Sequence, residues 1–200
     1  MNPYQVTRDF EAALCEYTGA PYAVAVNSCT AALQLTCQLW LEDRKNQKVH
    51  IQKHTYCSVP MSIIHAGGTP IFENRKWGGA YQLDPLPIFD CARRFTSGMY
   101  VPGQYQCVSF SAAKILGIEQ GGAILHDTSD ADKWFRRMRF DGRQEGVDPL
   151  DENFSLIGHH CIMLPSIAAQ ALLRLSHLPK HNDDMSDYPY PDLSQHSAFK

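Results

Sequence analysis

Two ionisable residues lie where predicted β-strands end, and together they could support amine chemistry. Asp90 ends the apolar run PLPIFD, and Lys114 follows QCVSFSAA, whose small residues leave room around an amine. A carboxylate at the mouth of an apolar strand is costly unless it meets a positive partner, and a protonated pyridine nitrogen is one such partner. A nucleophilic lysine needs partial desolvation to lower its pKa. Taken singly, Asp90 could equally cap the next segment, and Lys114 could be an ordinary surface lysine.

A third candidate position is the turn Ser28-Cys29-Thr30, between a predicted strand and a predicted helix. The start of a helix points free backbone N–H groups and the positive end of the helix dipole at a neighbouring ligand. A phosphate group is the natural ligand of such a turn. The alternative is that Ser28 and Thr30 only cap the helix.

The elements that must position these residues alternate between strands and helices. Short apolar runs predict strands at 22–26, 49–52, 70–72, 87–90, 106–110 and 123–126. Helical spacing predicts a first helix, with Thr7 as its cap and Gly19 at its end, and further helices at 31–41, 59–66, 130–139 and 164–177. This alternation predicts an α/β layer fold with a mostly parallel sheet. Ligands of such sheets bind beyond the carboxyl ends of the strands, where all three candidate positions fall.

The composition narrows the class of protein. A chain of 200 residues, 44% of them hydrophobic, is enough for one domain with its own core. A formal net charge of −3 provides no general basic field, so nucleic-acid binding is not expected. Seven cysteines without a Cys-x-x-Cys pair indicate reduced thiols, and no apolar run approaches the ~20 residues of a membrane span. We therefore expect a soluble cytoplasmic protein.

Two regions carry no predicted site. The histidines at 159, 160, 177 and 181 have no cysteine or carboxylate partner at zinc-like spacing, so no metal is expected. From Pro179 onward the chain is rich in Pro, Asp, Ser and His, which predicts an extended or disordered tail at 179–200 after a domain at 1–178.

The order of the candidate residues along the chain is more specific than any one of them. The turn at 28–30 is followed by Tyr56, Asp90 and the string Ser-Phe-Ser-x-x-Lys that ends at Lys114. From about Phe10 to His177 the chain resembles the DegT/DnrJ/EryC1/StrS family of sugar aminotransferases. The matching segments are FEAALCEYTGAPYAVAVNSCTAALQL, IQKHTYCSVPMSIIHAGGTPIFEN, FDCA, SFSAAK and GGAIL.

The resemblance implies a three-layer fold, the large domain of fold-type-I enzymes that use pyridoxal 5′-phosphate (PLP). Lys114 would hold the cofactor as a Schiff base and later move a proton, and Asp90 would keep the pyridine nitrogen protonated. Tyr56 would stack on the ring, and Ser109 would bind the phosphate together with the backbone of the 28–30 turn. The resemblance also implies a homodimer with shared active sites, and a shortened form that lacks the family's C-terminal domain.

The chain departs from the family pattern at positions that bear on the chemistry. Cys29 replaces the usual glycine of the phosphate turn, which requires a backbone conformation that a non-glycine residue accepts. Arg93 replaces a Gln or His near the cofactor's 3-hydroxyl, so a charged guanidinium would change the electrostatics there. The elements RFDG (139–142) and GHHCIM (158–163) lack polar residues that the family usually has.

Three functions follow as hypotheses. The first is transfer of an amino group from an amino acid donor to a keto sugar or related carbonyl acceptor. The second is another PLP reaction that uses the same lysine and aspartate, such as decarboxylation of an amino acid. The third is a non-catalytic fold relative that binds a partner and would survive Lys114→Ala unharmed.

Overall fold

The computed structural model describes residues 4–186 and 189–200, so Asp187 and Tyr188 of the predicted tail lie outside the described residues. The helices are α1 (Gln5–Thr18), α2 (Cys29–Leu41), α3 (Ser58–His65), α4 (Ser129–Met138) and α5 (Pro165–Ser176). The strands are β1 (Tyr22–Val26), β2 (Lys48–Gln52), β3 (Thr69–Glu73), β4 (Tyr81–Gln82), β5 (Ile88–Asp90), β6 (Tyr105–Ser109) and β7 (Gly122–His126). Two short 3-10 helices follow at Leu193–Gln195 and Ser197–Phe199.

The predicted elements are all present, and their ends agree with the structure to within three residues. Gly19 ends α1 in the left-handed conformation, with φ of 81°, as the sequence predicts. The prediction that Thr7 caps α1 is wrong. The helix begins earlier, with Tyr4 at the cap position, and Thr7 is buried within it. The two-residue strand β4 was not predicted, because so short a run carries no periodicity.

The main sheet has the strand order β1-β7-β6-β5-β4 and is mixed. β5 and β6 pair in parallel, while β7 pairs antiparallel with both β1 and β6, and β4 pairs antiparallel with β5. Strands β1, β6 and β5 consequently share one direction. The sheet is therefore mixed and not mostly parallel as predicted, because a loop without a crossover helix joins β6 to β7 and reverses the direction of the chain. β2 and β3 form a separate parallel pair.

Helices cover both faces of the main sheet. Val24, Val26 and Ile124 belong to a buried cluster with residues of α2 and α3. Ala23, Ala25 and Leu125 face the other way, into a cluster formed with α1 and α5. Because neighbouring side chains of a strand point to opposite faces, this alternation places the sheet between two helical layers. The α/β fold class predicted from the sequence is thus confirmed.

The C-terminal segment, residues 179–200, lies along the domain where the structure describes it, at first without helix or strand and from Leu193 onward as the two 3-10 helices. Near its start, the Lys180 carbonyl accepts a hydrogen bond from the Ser97 amide at 2.8 Å. Further on, the Leu193 amide donates to the Lys53 carbonyl at 2.9 Å, and the Leu193 side chain is buried. The division into a domain at 1–178 and a tail at 179–200 stays a prediction.

No helix within residues 4–186 and 189–200 is both long enough and apolar enough to cross a membrane. The seven cysteines are all free thiols.

Candidate active site

One cavity of about 640 Å³ opens where β1, β5 and β6 end. Because these three strands share a direction, their carboxyl ends meet at one edge of the sheet, where α/β folds bind ligands. The residues that the sequence predicted for the site all line this cavity. They are Ser28, Cys29, Thr30, Tyr56, Asp90, Arg93, Ser109 and Lys114. The structure therefore brings together every predicted site residue, although their separate roles stay predictions.

The turn at 28–30 forms the start of α2. Ser28 is the N-cap residue, and its hydroxyl accepts a hydrogen bond from the Ala31 amide at 3.1 Å. This bond satisfies one of the free N–H groups at the start of the helix and leaves the earlier ones available to a ligand. Capping and anion binding are therefore compatible at this turn.

Cys29 fits the turn because it is the first residue of α2 and does not have a positive φ. Its thiol lies 3.6 Å from the Cys107 carbonyl oxygen. The glycine that this turn needs is on the neighbouring strand instead. A Cβ atom added to Gly122 would lie 2.5 Å from the Cys29 nitrogen and 2.6 Å from the Ser28 carbonyl carbon. Ser109 pairs with Gly122 across the sheet, so its side chain lies beside the same turn.

Asp90 is buried at the end of β5, with 3% of its surface exposed. Burial raises the pKa of its carboxyl group. Two contacts lower that pKa in part: the Ala92 amide donates a hydrogen bond to the carboxylate at 2.9 Å, and Lys114 provides a nearby positive charge. Within the described residues, no cation lies within ion-pair distance of Asp90. A buried carboxylate in this condition is stabilised by a cationic ligand, such as a protonated ring nitrogen.

Lys114 lies half-buried in the loop that follows β6, and its amide donates to the Ser111 carbonyl at 2.8 Å. Burial lowers the pKa of its ammonium group, and the charge of Arg93 lowers it further, while Asp90 partly offsets both. A lowered pKa increases the fraction of neutral amine near neutral pH. That is the form that attacks an aldehyde or accepts a proton.

Aromatic residues form the outer wall of the cavity. Tyr56 precedes α3 and is 56% exposed, so its ring stands at the cavity mouth. The Tyr190 ring, from the C-terminal segment, lies 6.3 Å from the Tyr56 ring in an edge-on arrangement and stacks on Trp77 at 6.4 Å. The C-terminal segment also contributes Met185 to the lining.

Of these wall residues, sequence reasoning predicted Tyr56 but missed Trp77, Met185 and Tyr190, and it also missed two polar groups beneath them. The hydroxyl of Tyr81, on β4, makes a short hydrogen bond to the Thr55 hydroxyl. Burial raises the pKa of Tyr81 well above its usual range, and the neighbouring Asp90 carboxylate raises it further. The phenol therefore stays protonated beside Asp90. Tyr81 carries no sequence signal because β4 is too short to predict, and Trp77 carries none because it lies outside the helices and strands.

The donor groups of the cavity fit PLP. The start of α2 and the hydroxyls of Ser28, Thr30 and Ser109 provide an anion site for a phosphate group. The buried Asp90 carboxylate, which lacks an ion-pair partner among the described residues, suits a pyridinium nitrogen. Lys114 supplies an amine of lowered pKa for an aldehyde. A helix start, a buried carboxylate and an amine in one cavity are the groups that bind the three ends of this cofactor.

Structural comparison shows that the chain shares the fold of solved sugar aminotransferases over most of its length. It superimposes on AtS13 from Actinomadura melliaura with a TM-score of 0.74 and 20% identity, covering 86% of this chain and 60% of that one. It superimposes on DesV from S. venezuelae, solved with a ketimine intermediate, with a TM-score of 0.70 and 21% identity, covering 86% of this chain and 56% of that one.

Sequence comparison agrees with the motifs. Residues 1–88 match the model of the DegT/DnrJ/EryC1/StrS aminotransferase family, so the predicted resemblance is confirmed over that part of the chain. The spore coat polysaccharide biosynthesis protein SpsC of Bacillus subtilis (strain 168) is 31% identical over 126 residues. That match covers 62% of this chain and 32% of SpsC. The chain thus spans about a third of the curated relative and somewhat over half of the solved structures it resembles.

Proposed function

We propose that the protein is a PLP-dependent aminotransferase that moves an amino group from an amino acid to a keto sugar or related carbonyl compound. The observation that carries the proposal is the meeting of three groups in one cavity. These are the buried Asp90 carboxylate, the half-buried Lys114 amine and the start of α2. The family match over residues 1–88 supports the same chemistry.

Each group has a distinct role in this proposal. When bound, PLP supplies an electron sink that stabilises negative charge on the substrate carbon. Asp90 holds a proton on the ring nitrogen, because its carboxylate needs a cationic partner in its buried position. Lys114 would provide the amine that condenses with the cofactor's aldehyde with loss of water, and its Nζ atom, when free, would accept and return the substrate's proton. Ser28, Thr30 and Ser109 hold the phosphate, and Tyr56 covers the ring.

The central experiment measures a covalent adduct at Lys114. We expect the protein with PLP to show a visible absorbance band that borohydride bleaches, leaving a stable adduct that peptide mass spectrometry finds at Lys114. Lys114→Ala should form no such adduct. Lys133→Ala is the matched control, since Lys133 is an exposed lysine of α4 that pairs with Asp130. A wild-type protein without a reducible band would overturn the proposal.

The type of reaction is tested with an amino donor. Transamination predicts that glutamate or another donor converts the bound cofactor to its pyridoxamine form, which lacks the visible band. Carbon dioxide release without pyridoxamine would instead indicate decarboxylation. An adduct at Lys114 without any turnover would indicate a non-catalytic relative.

We also propose that the active form is a homodimer. Three apolar side chains on the irregular chain between α4 and α5 are strongly exposed: Leu150 (94%), Phe154 (63%) and Ile157 (95%). Strongly exposed apolar side chains this close together in the sequence are candidates for a protein interface, and a second copy of this chain is the partner that the family resemblance implies. Sedimentation velocity should give a dimer for the wild type and a monomer for Ile157→Glu. Leu173→Glu, an exposed apolar position on α5, should stay dimeric. A monomeric wild type would contradict this.

A cytoplasmic location completes the proposal. Its support is that the seven cysteines are free thiols, which persist in reducing compartments.

A further inference from the structure

Arg93 is a buried cation fixed at the wall of the cavity. It lies three residues after Asp90 and is 7% exposed. Its amide donates to the Gly79 carbonyl at 3.3 Å, and its own carbonyl accepts from the Met185 amide at 2.9 Å. Its Nη2 atom donates to the Ser186 carbonyl. The backbone and one edge of the guanidinium are therefore held in place before any ligand arrives.

The positive charge of Arg93 has no anionic partner among the described residues. Its Nε atom is buried without a hydrogen-bond partner, and no described carboxylate lies within ion-pair distance. The other buried arginine, Arg139, differs sharply, because it pairs with both Glu11 and Glu145. Burying a guanidinium without an anion is strongly unfavourable, so Arg93 is a site that a negative group would stabilise.

The charges around the cavity also favour an anion at Arg93. Asp90 is the only acidic residue among the described residues that line it, while Arg93 and Lys114 are both basic. The start of α2 adds a partial positive charge. If a phosphate occupies the start of α2 and Asp90 meets a ring nitrogen, no described residue is left to balance the charge of Arg93.

We propose that Arg93 binds a second anionic oxygen of the ligands, distinct from the phosphate at α2, and that the carboxylate of the amino donor is its main source. The proposal rests on the function proposed above. The ionised ring hydroxyl of PLP carries the same kind of oxygen and is the other source. A guanidinium suits either, because its N–H groups lie in one plane and form charge-assisted hydrogen bonds.

Binding of the donor carboxylate at Arg93 would change the pKa of Lys114, the group that accepts the substrate's proton. Arg93 is one cause of the lowered pKa of Lys114. A carboxylate bound to Arg93 would neutralise that positive charge. Lys114 would then be a stronger base when the donor is present than when the cavity holds the cofactor alone.

The test compares three variants with the wild type, all with PLP bound. Maleate is the probe, since it offers carboxylates but no amine that could react. Arg93→Gln should weaken maleate binding about tenfold, the loss of one charge-assisted hydrogen bond, and Arg93→Lys should recover part of it. Arg94→Gln is the matched control. Arg94 is exposed and pairs with Asp184, so its loss removes a contact to the C-terminal segment without removing charge from the cavity.

A second arm separates the two sources of the oxygen. If Arg93 binds the ring hydroxyl, Arg93→Gln should weaken binding of PLP itself about tenfold. It should leave binding of the 3-O-methyl ether of PLP unchanged, because that ether has no ionisable ring oxygen. If Arg93 binds the donor carboxylate, only maleate binding should change.

The outcomes also separate this proposal from the proposed function. The proposal that Arg93 binds an anionic oxygen is overturned if Arg93→Gln binds both maleate and PLP as tightly as the wild type. It is also overturned if Arg94→Gln loses as much affinity as Arg93→Gln. If the wild type forms no adduct at Lys114, the proposed function fails, and maleate is then added to the protein without cofactor. A thermal shift in the wild type that Arg93→Gln lacks supports the anion site, and no shift in either overturns it.

Discussion

The substitution Glu11→Gln should reveal how much a buried ion network stabilises this fold. Glu11, on α1, is 3% exposed and accepts a hydrogen bond from the Ala25 amide of β1 at 2.9 Å. Its other oxygen accepts from Arg136 at 2.6 Å, and Arg139 donates to the oxygen that also meets Ala25. Glutamine has nearly the same shape and keeps a neutral acceptor for the amide. The substitution therefore removes the negative charge and replaces the acceptor that faces Arg136 by an NH2 donor.

The expected loss is about 3 kcal/mol of unfolding free energy. Removing one partner of a buried ion pair typically costs 3–5 kcal/mol, because the remaining charge stays buried. The low end applies here, since Arg139 keeps Glu145 at 2.7 Å and Arg136 keeps Asp132 at 2.7 Å. With a urea dependence of about 2 kcal/mol per molar, the unfolding midpoint should fall by about 1.5 M.

Urea unfolding followed by circular dichroism measures this shift. Glu16→Gln is the matched control, since Glu16 is an exposed residue of the same helix, and its midpoint should stay within about 0.3 M of the wild type. If the midpoint of Glu11→Gln also stays within about 0.3 M of the wild type, the buried ion network does not stabilise the fold.

Two further substitutions probe the cavity and the core. Gly122→Ala should destabilise the protein by about 2 kcal/mol and weaken PLP binding, because the added Cβ would lie 2.5 Å from the Cys29 nitrogen. Urea unfolding and PLP titration measure both effects, and Gly78→Ala, with nothing within 4 Å, should change neither. His126 is fully buried, and burial lowers its pKa to about 4. Below pH 6.5, the ordinary pKa of histidine, His126 binds a proton in the unfolded chain but not in the folded one. The free energy of unfolding should therefore decrease as the pH falls from 6.5 towards 4, by up to about 3 kcal/mol. His126→Asn should flatten that part of the stability profile, and an equal slope in both proteins would contradict the assignment.

The elements of the fold were predictable because their residues carry local patterns. YAVAV is apolar throughout and has β-branched valines at 24 and 26, and it forms β1 with the predicted ends. The direction of β7 was not predictable in this way. Its residues would suit a parallel or an antiparallel neighbour, and the choice depends on how the loop at 110–121 returns the chain to the sheet.

The candidate site was predictable to the extent that it follows strand ends. Asp90 and Ser109 end strands that lie side by side, so their meeting in one cavity follows from sheet geometry. Tyr81 and Tyr190 reach the site by other means. The first lies on a two-residue strand, and the second lies in a segment whose composition predicts only extended or disordered chain. Contacts of this kind depend on tertiary packing, which local sequence does not encode.

The attachment of the C-terminal segment has a consequence for the residence time of a ligand. Two of its ion pairs, Arg94 with Asp184 and Lys53 with Asp192, are at least partly exposed. Exposed pairs contribute little stability and are screened by salt. Detachment of this segment would remove Met185 and Tyr190 from the outer wall of the cavity and expose the Leu193 side chain, but it would leave the main sheet and its helices in place. Such a local opening costs far less free energy than global unfolding. Ligand exchange should consequently become faster as ionic strength rises, while the stability of the sheet beneath stays nearly constant.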